Sequence, residues 1–279
     1  MTPKRQDHAS EAKMDLNGLR SIKKDCFRTL LEMYKRANAG HIGASLSCLD
    51  LLIFLHFLKA TDDEAVILSK GHAAGALYVV LEAAGKIPKG STSQFYRDGT
   101  HFAAHPPCNR EFKAIPFGTG SLGHGLGLAT GIAYANRLKG NSKKTYVLLS
   151  DGELNEGSIW ESLMFACHHQ LSNLVVIIDQ NGLQGLGGTK DIMNLDPLDE
   201  KFKSFGAQVH VISNGNLFES IAAGFQAAEG TVSRPTILIA KTTKGSGVSF
   251  MENRFEWHYL PMNDEQFAQA MKESERDHA

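Results

Sequence analysis

The sequence predicts an α/β fold, a mostly parallel sheet with helices on both faces. Three observations predict it. Short segments that are almost wholly apolar and β-branched, such as "TYVLLS" and "NLVVIID", alternate with longer segments of helical period; strands buried on both faces read this way. Several apolar segments stop at a polar, glycine-bearing turn, "SDGELNEG", "DQNGLQG" and "KTTKGSG", and parallel sheets bind ligands beyond the carboxyl ends of their strands. No internal repeat or low-complexity linker divides the chain. Residues 15–279 therefore read as one domain behind a polar, flexible tail, 1–14.

Each element has its own signal. From about Leu16 to Ala39 the apolar residues Leu19, Ile22, Cys26, Leu30, Leu31, Met33 and Tyr34 recur at helical spacing, and Gly40 is expected to end that helix. "HIGASLSCLDLLIFLHFLKA" reads as a short loop and a second helix, with Ser45 or Ser47 as the N-cap. "EAVILS" reads as a strand and "KGHAAGALYVVLEAAGK" as a helix. Residues 87–118, rich in Gly, Pro and His, read as irregular, and "GSLGHGLGLATGIAYANRLKG" as a Gly-rich, then Ala-rich helix. Then follow a strand 145–150, a helix about 156–169, a strand 173–179 and a Gly-rich loop to about 190. A helix near 198–205, a strand 207–213, a helix 216–230 and a strand 236–243 complete the core; an irregular stretch and a short helix about 263–273 end it.

Composition limits the function. The net charge of −1 gives no global attraction to nucleic acid or to a membrane surface. The four cysteines, Cys26, Cys48, Cys108 and Cys167, are widely spaced without C-x-x-C, which argues against a disulfide framework or a thiolate zinc site and for a reducing compartment. The start, "MTPKRQDHASEAKMD", lacks a signal-peptide core. The longest apolar run, about Leu49 to Leu58, is too short to span a bilayer and reads as a buried helix. The expected location is the cytoplasm.

The chemistry concentrates at two strand ends. Asp151 ends one strand, and Asn181 follows the end of the next, thirty positions later. One βαβ unit is about that long and brings both strand ends to the same sheet edge. A carboxylate oxygen with an amide oxygen suits Mg²⁺, which keeps positions for phosphate and water. Gly152 lets the backbone come close, and the helix that follows points N–H groups at an anion. Gly182 permits a turn that aims the carbonyl of Leu183 at the same metal. Either Asp-Gly or Asn-Gly pair alone makes an ordinary turn; their spacing across one βαβ unit favours a shared site.

"SDGELNEGSIWESLMFACHHQLSNLVVIIDQNGLQ" resembles the thiamine-diphosphate-binding motif in its transketolase form, with Glu156 and Gly157 shortly after the Asp. "NAGHIGASLSCLDLL", "ILSKGHAAGALY" and "HFAAHPPC" resemble the transketolase histidine loops and place His41, His72 and His105 there. "GTGSLGHGL" resembles the loop over the diphosphate, with Gly120 and Leu122 matching, and "KGSGVSFMENRFEWH" the loop carrying a further histidine, His258. The resemblance covers roughly residues 15–260. One departure is Ser150, where the motif has Gly.

The resemblance implies a thiamine-diphosphate-binding fold, the diphosphate-binding domain. It implies thiamine diphosphate held through His72, Gly120, Ser121, Leu122, Gly152, Glu153 and Asn181. It also implies Mg²⁺, or Ca²⁺ or Mn²⁺ in its place, held through Asp151, Asn181 and Leu183. Catalytic roles fall to His41, His72, His105, His258 and Glu156, in transfer of a two-carbon ketol unit from a ketose phosphate to an aldose. Proton moves at substrate hydroxyls need groups that titrate near neutrality, which suits histidine. The family's activating glutamate and its phosphate-binding arginines lie in a pyrimidine-binding part that follows in full-length transketolases. The chain therefore resembles the amino-terminal subunit of a split transketolase, expected to act with a carboxy-terminal subunit in an α₂β₂ heterotetramer, Glu156 lying near the interface. Two alternatives stay open: a subunit of a related thiamine diphosphate enzyme of a dedicated sugar or acyl-transfer pathway, and a non-catalytic scaffold subunit.

Other motifs carry less. "GTGSLG" fits G-x-G-x-x-G, but no Asp or Glu occurs from Lys113 to Ser150 to meet a ribose. His101 and His105 have i, i+4 spacing, but Pro106-Pro107 opposes a zinc-binding helix. His168 and His169 suit the C-terminal end of a helix dipole. Lys241 and Lys244 read equally as phosphate contacts or as solvated loop charges.

Overall fold

The computed structural model describes residues 15–108, 111–230 and 233–275; the expected tail, 1–14, lies outside the described residues. The five main strands are β1 (Ala65–Leu68), β2 (Thr145–Ser150), β3 (Leu174–Gln180), β6 (Gln208–Ile212) and β7 (Thr236–Lys241). They form one parallel sheet in the order β1-β2-β3-β7-β6. A two-residue antiparallel ladder, β4 (Leu183–Gln184) with β5 (Gly187–Gly188), folds the Gly-rich loop after β3 back on itself.

Side chains of a strand alternate between faces, and here both faces are apolar. One layer joins Val66, Leu68, Leu148, Ile177 and Leu238 to α1 (Leu16–Ala37), α2 (Ile42–Phe54), α3 (Ala74–Ala83) and α8 (Phe218–Ala227). The other joins Ile67, Val147, Leu149, Ile178 and Ile239 to α4 (Gly125–Leu138), α5 (Gly157–His168) and α7 (Leu198–Ser204). The short helices α6 (Thr189–Met193) and α9 (Asp264–Glu273) complete the described chain. The α/β expectation holds, and most elements fall within a few residues of their predicted ranges.

The differences have local causes. α1 is capped by the Asp15 carboxylate, which accepts from the Gly18 N–H at 2.8 Å, and it ends at Asn38 in the left-handed region, φ 49°, before Gly40. Asn tolerates that conformation well. Gly40 serves a close approach instead: a Cβ there would lie 2.6 Å from the Tyr259 carbonyl oxygen. α2 begins at Ile42, so Ser45 and Ser47 lie inside the helix, fully buried, and neither is the N-cap. That position belongs to His41, at φ 75° and without a side-chain cap. α2 also runs on through a π-helical turn, Leu55–Lys59. The combined helix, Ile42–Lys59, is longer than the apolar run suggested and passes the length and composition of a membrane span, but 83% of it is buried within the fold.

Candidate active site

The carboxyl ends of the strands surround a cavity of about 290 Å³. Asp151 follows β2 directly and starts a 3-10 turn, Gly152–Asn155, that leads into α5. Its buried carboxylate accepts from the Gly152 N–H at 2.8 Å and from the Gly182 N–H at 2.6 Å. The second bond crosses to the turn after β3, so the two strand ends are tied through this acid. Asn181 is held in place by accepting from the Leu183 N–H at 3.0 Å and donating to Ser47 Oγ at 3.2 Å. Gly152, Asn181 and Leu183 line the cavity; Asp151 and Gly182 border an adjoining one of about 320 Å³. Ser150 occupies the last position of β2, paired in register with Asp179, and it is not among the residues of positive φ. Its backbone therefore does not require the glycine of the motif.

Four histidines converge. Ring centroids are 5.0 Å apart for His41 and His258, 5.2 Å for His72 and His258, 5.8 Å for His41 and His105 and 5.9 Å for His41 and His72. Each arrives on a different segment: the left-handed N-cap of α2, the 3-10 turn Gly71–Ala73 after β1, the irregular stretch before α4, and the 3-10 turn Phe255–His258. The His41 N–H donates to the His258 carbonyl at 3.1 Å, joining two of them through the backbone. Burial lowers the pKa of all four; neighbouring positive charges add to the effect at His41, His72 and His258. His72 lies well below the ordinary value, and His258, also facing Lys244, falls to about 3. All four imidazoles are thus neutral at pH 7, able to give or accept a proton in a hydrogen bond.

Sequence reading missed part of the charge. Lys70 and Asp179 are both fully buried and form an ion pair, and Asp179 also accepts from Ser47 and Thr242. Burial, the largest influence, would pull the Lys70 pKa down, but the attraction and hydrogen bond of Asp179, with Cys48 and Asp151 adding to them, together outweigh it and the ammonium is held. Lys244, 2% exposed, lines the cavity too and donates to His258 Nδ1 at 3.2 Å. An ammonium has no lone pair, so the neutral His258 ring carries its proton on Nε2. Burial, then repulsion from Lys70, lowers Lys244 to about 8, still protonated at neutral pH. Of the two lysines left open above, Lys244 is the buried one; Lys241, at the end of β7, is exposed and donates to Gln180. A signal for Lys70 and Asp179 existed: each is a lone charge at the carboxyl end of an otherwise apolar strand segment.

The remaining expected residues divide. Gly120 and Leu122 line the cavity, and a Cβ on Gly120 would press on the His105 ring at 3.3 Å. Ser121 is exposed, its carbonyl 3.1 Å from His124 Nδ1. Glu153 is fully buried and does not line the cavity; it accepts from Ser69, from the Gly123 N–H at 2.8 Å and from the Ser150 N–H at 3.3 Å. It thereby binds the Gly120–Gly123 loop to the strand end. Glu156 is exposed, packed beside Gly123.

The donor set fits a phosphorylated cofactor with a hard cation. Lys70 is paired with Asp179, while the hydrogen-bond partner of Lys244 is the neutral His258, so Lys244 brings an ammonium to the cavity wall that no direct ion pair cancels. Gln184 lines it too, and its buried Nε2 has no hydrogen-bond partner, as expected of a donor awaiting an acceptor. Gly152 leaves the backbone bare where a Cβ would meet Gln184 at 2.9 Å. Asp151 brings one carboxylate and Asn181 and Leu183 neutral oxygens; among the described residues no cluster of three or more His, Cys, Asp or Glu could hold a metal. A single carboxylate with neutral oxygens suits Mg²⁺ completed by phosphate oxygens.

Comparison with known proteins agrees. Residues 24–277 match the family described as transketolase, thiamine diphosphate binding domain. The chain is 40% identical over 259 residues to an apulose-4-phosphate transketolase subunit of Phocaeicola vulgatus, covering 89% of this chain and 91% of that one. It is 33% identical to the 6-deoxy-6-sulfo-D-fructose transketolase subunit SqwG of Clostridium sp., covering 97% and 100%. The crystal structure of transketolase from Campylobacter jejuni superposes with a TM-score of 0.84 at 26% identity, over 94% of this chain but 43% of that one. Both by sequence and by fold, the chain belongs to the family of transketolase thiamine-diphosphate-binding domains.

Proposed function

We propose that the chain is the diphosphate-binding subunit of a split transketolase, transferring a two-carbon ketol unit between sugars in the cytoplasm together with a separate pyrimidine-binding subunit, in an α₂β₂ assembly. The observation that carries it is the gathering of four neutral histidines and a buried ammonium above the Asp151–Asn181 pair. Asp151, Asn181 and Leu183 would hold Mg²⁺, or Ca²⁺ or Mn²⁺ in its place. Lys244, Lys70, Gln184, His72 and the backbone of Gly120, Leu122 and Gly152 would hold thiamine diphosphate. When bound, that cofactor supplies stabilisation of a carbanion. The protein's own part is to orient, to exclude water and to manage protons. His258 presents Nε2–H, fixed by Lys244, as a hydrogen-bond donor to a substrate oxygen, and His41, His72 and His105 surround the same space as neutral donors or acceptors.

The substrates are proposed to be ketoses bearing an anionic group. The names of two relatives, one for a sugar 4-phosphate and one for a 6-deoxy-6-sulfo sugar, support that class. Both relatives are named as subunits, and the chain spans about two fifths of full-length transketolases such as that of Pongo abelii; both facts support a separate partner.

The test is reconstitution. The pure chain, with thiamine diphosphate and Mg²⁺, is expected to show no ketol transfer, and turnover is expected to appear on adding the co-purifying partner. Full turnover by the chain alone would refute the split. A complex that binds cofactor yet moves no two-carbon unit from any phosphorylated or sulfonated ketose would refute ketol transfer.

A further inference from the structure

Ser150 stands where the strand-end motif has glycine, and the proposed function leaves its hydroxyl unused. Leu148 belongs to the apolar layer packed on α1, α2, α3 and α8. Side chains two positions apart on a strand share a face, so Ser150 looks to that same side, and Asp151, the next residue, does not. Ser150 pairs in register with Asp179 of β3, which follows Ile177 of the same layer by two positions. The hydroxyl therefore stands beside the Lys70–Asp179 ion pair. Ser150 lines the active-site cavity together with Lys70, His72, Asn181 and Lys244.

The residue is only 7% exposed. Its backbone N–H donates to Glu153 at 3.3 Å, but its Oγ has no hydrogen-bond partner among the described residues. The two carboxylates beside it are already engaged. Glu153 accepts from Ser69 and from the Gly123 and Ser150 N–H groups. Asp179 accepts from Lys70, Ser47 and Thr242. The hydroxyl is not sealed in, either. The enclosed, unpartnered polar atoms of the described residues include the hydroxyls of Thr130 and Thr145 but not that of Ser150, which opens instead on the cavity that the residue lines. A buried, unpartnered hydroxyl facing a cavity is a donor for whatever fills it.

The charges around the cavity set the sign of that occupant. Lys244 brings an ammonium to the wall. The Asp151 carboxylate borders the adjoining cavity and not this one. An anionic oxygen is therefore the matching partner, and a hydroxyl that donates to an anion makes a short, charge-assisted bond.

We propose that the Ser150 hydroxyl is a further binding group for the diphosphate, donating to one of its oxygens a hydrogen bond that glycine at this position cannot supply. The proposal rests on the reading of the cavity as a thiamine diphosphate site and concerns affinity, not the transfer step.

The test is calorimetric titration of thiamine diphosphate into the complex of the full chain with its co-purifying partner, for wild type, Ser150→Ala and Ser150→Gly. Both variants are expected to raise Kd about tenfold or more, and to a similar extent, because the hydroxyl and not the Cβ makes the bond. The loss is expected to be the same with Mg²⁺, Mn²⁺ or Ca²⁺. Without cofactor, Ser150→Ala is expected to have a Tm no lower than wild type, since it removes a buried hydroxyl that has no partner. A Kd for Ser150→Ala within about twofold of wild type would overturn the proposal and make the serine a tolerated replacement, while the cofactor reading would stand. A loss confined to one metal would make the hydroxyl a cation ligand and overturn it as well. So would a cofactor-free Tm that falls along with the affinity, the hydroxyl then being part of the fold. A wild-type complex that binds no thiamine diphosphate would overturn the cofactor reading and the proposal together.

Discussion

The ammonium of Lys70 and the carboxylate of Asp179 are both fully buried and bonded to each other. Removing one partner strands the other charge away from water, which typically costs about 3–5 kcal/mol, whereas replacing both by apolar groups is far milder. Lys70→Met is therefore expected to lower unfolding stability by about 3–5 kcal/mol, and Lys70→Met with Asp179→Leu to recover most of that loss. Urea unfolding measures both; equal destabilisation by the single and double variants would show that the pair is not what holds these residues. Asp151 makes a second residue-scale prediction. Burial, and then the Asp179 charge, raise its carboxyl to about 6. A cation must displace that proton, so apparent Mg²⁺ affinity should be flat above pH 6 and fall as pH drops below it, up to about tenfold per pH unit. Asp151→Ala should abolish Mg²⁺-dependent cofactor binding. Calorimetric titration across pH 5 to 8 checks both; an affinity independent of pH would show that the Asp151 carboxyl is not raised, and Mg²⁺-dependent cofactor binding that survives Asp151→Ala would remove it from the ligand set.

At the scale of elements, the turn before α2 and the 3-10 turn Phe255–His258 act as one clamp. Gly40 touches the Tyr259 carbonyl, and the His41 N–H is bonded to His258. His41 sits at φ 75°, a conformation that costs a non-glycine residue of order 1–3 kcal/mol and persists only where the surroundings impose it. Gly40→Ala is expected to push these segments apart, destabilise the chain by about 1–3 kcal/mol and reduce activity of the reconstituted enzyme more than that loss of stability explains. A variant with wild-type unfolding and full activity would show that the contact yields without moving His41. These segments are also where sequence reading failed. The stretch "GHIGASLS" looks like a loop because it is small and polar, and Ser45 and Ser47 carry the usual N-cap chemistry. Buried partners, Tyr34 for Ser45 and Asp179 for Ser47, let the helix begin three residues earlier than Ser45.

For the whole molecule, protonation links the site to the fold. His41, His56, His72, His105 and His258 all have lowered pKa values. Below the unfolded value near 6.5 the unfolded chain takes up protons that the native state refuses, so stability falls as pH falls. Asp151 and Glu153, raised by burial, act in the opposite sense over the carboxylate range, but they are fewer. The denaturation midpoint is therefore expected to drop between pH 7 and pH 5, and His56→Phe to reduce that drop; a midpoint constant over this interval would contradict the neutral state assigned to the histidines. The two apolar layers that sandwich the sheet tolerate no such charge, which is why the titrating groups collect at the strand ends and cavity walls.

The alternation of apolar strands with helices, and the thirty-residue interval between Asp151 and Asn181, were enough by themselves to determine the parallel sheet and the edge that bears the site. Both follow from local periodicity and from the length of a βαβ unit. The four histidine loops were legible because each carries its own short motif. Tertiary structure decided what no local pattern encodes. It joined Lys70 to Asp179 across 109 positions, turned Glu153 inward to the loop at Gly123, left Glu156 on the surface and set Lys244 against His258. The physical reason is that burial and pairing of a charge depend on which segments meet at the sheet edge. A side chain's neighbours along the chain specify its conformation, but only its neighbours in space set its charge, its proton and its hydrogen-bond partner.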